Sequence, residues 1–132
     1  MHVLKSIGVI AFLVYGQASA MDVDGYERLV KASEAANEKR YIAKAFLDSY
    51  FTGVAETLQF LKTGSQNVYL RDNAALCFPS NVQISGPLIR GVLDGELKNP
   101  APYKELLGPK WKEHQLTGII IPGLMRMFPC PK

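Results

Sequence analysis

The chain has 132 residues, of which 48% are hydrophobic, with fifteen lysines and arginines against twelve aspartates and glutamates, a net charge of +3 and two cysteines. Charges of both signs alternate without a long run of either, which argues for a mixed solvated surface and against nucleic-acid binding. The length allows one domain and leaves no room for a second core.

In chain order, residues 1–20 read as a secretory signal peptide. Lys5 supplies positive charge, residues 7–15 form an apolar run, and Ala18-Ser19-Ala20 is a small-residue cleavage site. That run is too short for a bilayer, which takes ~20 residues to cross, so cleavage after Ala20 and a soluble exported product with no membrane association are expected. The remaining residues, 21–132, should form a single helical domain. They keep fourteen basic and twelve acidic side chains.

Tyr26, Leu29 and Val30 recur at helical spacing behind Asp22, Asp24 and Glu27, whose charges suit a helix N-terminus, and predict a first helix of about three to four turns. From Glu38 to Lys62, Ile42, Phe46, Tyr50, Val54, Leu58 and Leu61 predict a proline-free central helix about 37 Å long with this stripe as its apolar face. Beside it Ala45, Ser49 and Gly53 form a line of small residues that suits close backbone approach, so Gly53 reads as packing rather than chemistry. Thr63 and Gly64 stop the helix. From Thr63 to Asn73 the chain is polar, and Val68, Tyr69 and Leu70 lack sustained alternation, which reads as a loop, with a helical turn over residues 71–76 as an option.

Ser85 as an N-cap, Pro87 in the first turn, and the stripe Leu88, Ile89, Val92, Leu93 and Leu97 predict a third helix ending near Asn99. Pro100, Pro102, Gly108 and Pro109 punctuate a connector with at most one short helix, over residues 103–107. Leu116, Ile119, Ile120, Gly123, Leu124, Met127 and Phe128 predict a last helix, kinked where the Pro122 ring crowds the carbonyl of Gly118. No strand is required. The expected fold is all-α, a compact bundle of about four to five helices with a kinked C-terminal helix.

Cys77 lies in Leu76-Cys77-Phe78-Pro79 and Cys130 in Phe128-Pro129-Cys130-Pro131. An even cysteine count in an exported domain predicts one disulfide, Cys77–Cys130. Closing a loop of about 54 residues would contribute ~4 kcal/mol by restricting the unfolded chain.

Little here resembles catalytic chemistry. His114 is the one histidine of residues 21–132 and is expected on the polar approach to the last helix, so no His-based metal site is predicted, and no cofactor. A Cys77–His114 nucleophile pair would need a free thiolate, which the disulfide removes. No GxSxG elbow, phosphate loop or CxxC occurs, no residue is assigned as catalytic, and an enzyme is not expected. Asp94 and Glu96, too close in sequence to share a helix face, read as solvated charge, as do Asp48 and Glu56. Trp111 fits two roles equally, a partner anchor or a cap on the core.

Tyr50-x-x-Gly53-Val54 in the central helix, Cys77-Phe78-Pro79 with Val82 leading into a helix, and an apolar helix ending Phe128-Pro129-Cys130 together form a pattern. It resembles the Tai-type immunity proteins of bacterial type VI secretion and covers residues 26–130. The resemblance implies an all-helical, disulfide-bridged, often dimeric periplasmic protein that binds and occludes a peptidoglycan-cleaving amidase effector. On that reading the loop over residues 63–73 enters the amidase cleft, with Tyr69 and Arg71 as anchoring side chains and Asp72 opposite a catalytic histidine. The connector over residues 100–111, with Trp111, is the rival surface. The competing class is a stand-alone periplasmic stress, chaperone or envelope protein without an effector partner.

Overall fold

The computed structural model describes residues 20–62, 67–70 and 75–131. The signal-peptide reading of residues 1–19 and the proposed anchors Arg71 and Asp72 lie outside them.

Among the described residues, five α-helices and one short hairpin build the domain: α1 (Val23–Ser33), α2 (Lys39–Leu61), β1 (Asn67–Tyr69), β2 (Ala75–Cys77), α3 (Gly86–Lys98), α4 (Ala101–Leu107) and α5 (Thr117–Met127), with a 3-10 helix (Gly108–Glu113) between the last two. Local chemistry sets several boundaries. The Asp22 carboxylate accepts the amide of Gly25 at 2.6 Å and opens α1. Ser85 accepts the amide of Leu88 at 3.4 Å and opens α3, with Pro87 in the first turn, where its missing N–H costs nothing. Gly108, at φ 71°, ends α4 in a backbone conformation that glycine adopts without strain. α5 runs on across Pro122, which withdraws one amide from the helix ladder.

The helices pack in the sequence α1 on α2, α2 on α3 and α3 on α5. Two glycines let backbones approach. A Cβ on Gly86 would lie 3.2 Å from the backbone nitrogen of Thr52 where α3 starts against α2, and one on Gly123 would lie 2.7 Å from Val92 Cγ1 where α5 crosses α3. One core results, filled by Val23 and Tyr26, Leu47 and Phe51, Ile89 and Leu93, and Ile119, Ile120 and Leu124. At the N-terminal side, the amide of Leu116 donates to the carbonyl of Met21 at 3.0 Å and ties the start of α1 to the start of α5.

Two sequence expectations need correction. The buried face of α2 is Ala43, Leu47, Phe51, Ala55 and Leu58, whereas Ile42 and Phe46 are each 61% exposed. A strict four-residue repeat overshoots each helical turn by about 40°, so the line from Ile42 to Leu58 winds about 160° around the cylinder. Its first half faces solvent, Tyr50 and Val54 pack against the edge of the core, and Leu58 is buried in it. The small line Ala45, Ser49 and Gly53 is likewise exposed, and no heavy atom outside the helix comes within 4 Å of where a Gly53 Cβ would sit. Among the described residues, Gly53 therefore brings no second backbone close.

The segment expected as loop or helical turn instead contains a pair of short strands. β1 and β2 pair antiparallel, with Val68 opposite Leu76 and Tyr69 opposite Ala75. Strands of three residues are too short to show alternation, yet Val68 and Leu76 are fully buried and hold the hairpin on the core.

Candidate partner-docking surface

The hairpin is fixed at its base by covalent and packing contacts together. Cys77, the last residue of β2, is bonded to Cys130, with the two Cα atoms 4.9 Å apart. Its amide donates to the carbonyl of Phe128 at 3.0 Å, and the rings of Phe78 and Phe128 pack at a tilt of 43° with centroids 4.9 Å apart. Proline on either side explains why the bond sits here: Pro79 and Pro129 withdraw amides, so neither segment can extend a ladder or a helix through this point. Both prolines are exposed while Phe128 is buried.

Alternation across the pleat then decides what the hairpin presents. Val68 points inward, so its neighbour Tyr69 points outward, and Tyr69 is 64% exposed. Leu70 turns back toward α2 and α5 as part of an apolar groove shared with Tyr50, Gly53, Val54, Leu61 and Ile121. Tyr50, half-buried, stands edge-on to the Phe51 ring at 5.3 Å, and burial raises its phenol pKa.

Trp111 lies elsewhere. It is 8% exposed, belongs to the core beneath the 3-10 helix, and is flanked by the ammonium groups of Lys104 and Lys112, 5.7 and 5.8 Å from its ring centroid. Of its two candidate roles, this burial matches the cap on the core and leaves little indole for a partner. The hairpin packs on α2 and α5, whereas the 3-10 helix packs on α1 and α4, so Tyr69 and Trp111 stand on separate elements.

Two carboxylates read as solvated charge have fixed partners. Asp94 accepts a hydrogen bond from the Tyr26 hydroxyl and has Arg90 3.8 Å away, linking α3 to α1. Burial, then this bond to a carboxylate, pushes the Tyr26 pKa up to about 12. On another side of α3, Glu96 accepts the Tyr103 hydroxyl at 2.7 Å and an Arg126 guanidinium N–H, and Arg126 also donates to the Tyr103 oxygen at 2.7 Å. That three-way contact joins α3, α4 and α5. Their positions on different faces were legible from the two-residue spacing, but the partners lie 68, 7 and 30 residues away and left no local signal.

Among the described residues no cysteine is free, because both are bridged. His114 is exposed at the end of the 3-10 helix, its imidazole lying over Gly118, where a Cβ would collide with the ring. No thiolate–imidazole pair exists here. No helix among the described residues is long and apolar enough to cross a membrane. Searches against family models, curated proteins and solved structures returned no match to this chain.

Proposed function

We propose that the protein is an exported, periplasmic binding protein of the Tai immunity type, which blocks a peptidoglycan amidase by occluding its cleft. The observation that carries this reading is the anchored hairpin. A disulfide, a backbone hydrogen bond and two fully buried side chains hold the strands, while Tyr69 projects into solvent at the point where β1 ends. A preorganised base lowers the ordering cost of binding, and tyrosine is among the residues that concentrate binding energy. The disulfide is in keeping with an oxidising compartment such as the periplasm, to which residues 1–20 would direct the chain.

In this mechanism the work is steric and electrostatic rather than chemical. Tyr69 fills the apolar mouth of the cleft, and Arg71 and Asp72 supply charge to its polar lining. Co-purification of a peptidoglycan amidase with the protein from periplasmic extract tests the proposal. Tyr69→Ala is expected to weaken capture at least about tenfold, equal to ~1.4 kcal/mol. Unchanged capture by the variant would remove the hairpin from the contact, and no capture by the wild-type protein would remove the immunity reading.

The stand-alone chaperone reading draws on one different observation, the exposed apolar side chains of α2. It predicts retention of an aggregating model client in solution, suppressed by Phe46→Glu and indifferent to Tyr69→Ala.

A further inference from the structure

Along an antiparallel ladder, opposed residues alternate between pairs that bond to each other through both N–H and C=O and pairs whose groups all turn outward. The hairpin sets Asn67 opposite Cys77, Val68 opposite Leu76 and Tyr69 opposite Ala75. One bond decides which pairs are which. The Cys77 amide donates to the carbonyl of Phe128, in the segment just past α5, and so points away from β1. Asn67 and Cys77 are therefore an outward-turned pair, Val68 and Leu76 bond to each other, and Tyr69 and Ala75 turn outward again.

The two edges of the hairpin differ in what covers them. The edge of β2 is held by the C-terminal segment, through the Phe128 carbonyl and the disulfide to Cys130. The edge of β1 displays the N–H and C=O groups of Asn67 and Tyr69, and none of these bonds to a described residue outside the hairpin. Proteins blunt an open edge with charged side chains, proline or bulges. β1 reads Asn67-Val68-Tyr69, with neither charge nor proline, and pairs with β2 in unbroken register. The prolines of this region, Pro79 and Pro129, stand on the covered side.

We propose that β1 binds by strand addition, in which an extended main-chain segment on the wall of the amidase cleft pairs with this edge and makes the hairpin three-stranded. The inference rests on the amidase reading and specifies the contact that the hairpin makes there. The occupant follows from the chemistry of the edge. A donor and an acceptor on Asn67 are repeated on Tyr69, ~6.7 Å further along, and another extended backbone matches that alternation group for group. A free anion or cation would answer only one sign of it.

The side chains fit the same arrangement. Val68 points into the core, so Asn67 and Tyr69 share the outer face, and the Tyr69 ring lies where alternate residues of an added strand would pack across from it. Main-chain bonds then give affinity, and the contact around Tyr69 gives specificity. The anchored base has a part in this as well. An isolated two-stranded ribbon is marginally stable in water, whereas the disulfide and the buried Val68 and Leu76 keep this edge extended before a partner arrives.

Amide hydrogen exchange tests the proposal, read residue by residue by NMR on the oxidised protein, free and bound to the peptidoglycan amidase that co-purifies with it. In the free protein the amides of Val68, Leu76 and Cys77 should exchange slowly and those of Asn67 and Tyr69 fast. In the complex the last two should slow at least about tenfold. Asn67→Pro removes an outward donor without breaking a ladder bond, while Asn67→Ala keeps it, so the proline variant should bind about tenfold more weakly than the alanine variant. Slow exchange of Asn67 and Tyr69 in the free protein would overturn the inference, and so would protection that grows with the protein's own concentration, which would assign the edge to a second copy. Amides that stay fast in the complex, or equal binding by the two variants, would also overturn it. If capture is then still weakened by Tyr69→Ala, the amidase reading stands without strand addition. Absence of any captured amidase ends both.

Discussion

Tyr26 is the side chain whose ionisation should register most clearly in stability. Its pKa is about 12 in the folded protein against an ordinary 10.0. The folded state therefore holds this proton more tightly than the unfolded chain. The resulting stability is fully present below pH 10 and is lost as pH rises from about 10 through about 12, by roughly 2–3 kcal/mol over the interval. In Tyr26→Phe that alkaline loss should be smaller by this amount, while at neutral pH the variant should be less stable by about 1 kcal/mol for the missing bond to Asp94. Urea unfolding of both proteins from pH 8 to beyond pH 11 measures the difference; parallel curves would mean that the Tyr26 proton is not held this way. Tyr69, by contrast, should be silent in stability and visible only in binding, because nearly two-thirds of it is in solvent (64%).

Among the elements, α3 lies between α2 and α5 and offers the sharpest contrast between two glycines. Gly95 faces open space, so Gly95→Ala should stabilise the helix by about 1 kcal/mol. Gly123 on α5 sits 2.7 Å from Val92 Cγ1 once given a Cβ, so Gly123→Ala should destabilise by about 1–3 kcal/mol through overpacking. Chemical denaturation of the pair checks the α3–α5 crossing, and equal effects would contradict it. The helices themselves were legible because their signals are local. Asp22, Ser85 and Pro87 mark starts, and the apolar stripe of α3 was read correctly since Ile89, Val92 and Leu93 alternate three- and four-residue steps and so stay on one side. The stripe on α2 was not, because two four-residue lines run side by side, 42-46-50-54 and 43-47-51-55, and composition favours the bulkier, exposed one. The hairpin was missed for want of length, with a single inward residue per strand. Of the candidate site, Tyr69 was legible as an exposed aromatic, whereas what holds it in place depends on Val68, Leu76 and the Phe128 carbonyl converging from three segments.

At the scale of the molecule, one covalent link joins the middle of the chain to the segment just past its last helix, across 53 residues. Its loss should cost about 4 kcal/mol, mostly by freeing the unfolded chain. Cys77→Ser, Cys130→Ser and the double variant should lose the same amount, since each abolishes the same bond, and a reductant should bring the wild type to their level. Unequal single variants would point to a role for one sulfur outside the bridge. The bond also carries the functional proposal, because it fixes the hairpin base from which Tyr69 projects; reduction should therefore weaken binding even where the helices remain folded. The central claim is that this scaffold blocks a peptidoglycan amidase by docking the hairpin in its cleft. It is tested most directly by titrating the oxidised protein into the peptidoglycan amidase that co-purifies with it while following peptidoglycan cleavage. The expected result is complete inhibition with a Kd below about 1 μM, weakened at least about tenfold by Tyr69→Ala. Undiminished cleavage at about 1 mM protein, with the disulfide intact, would contradict it.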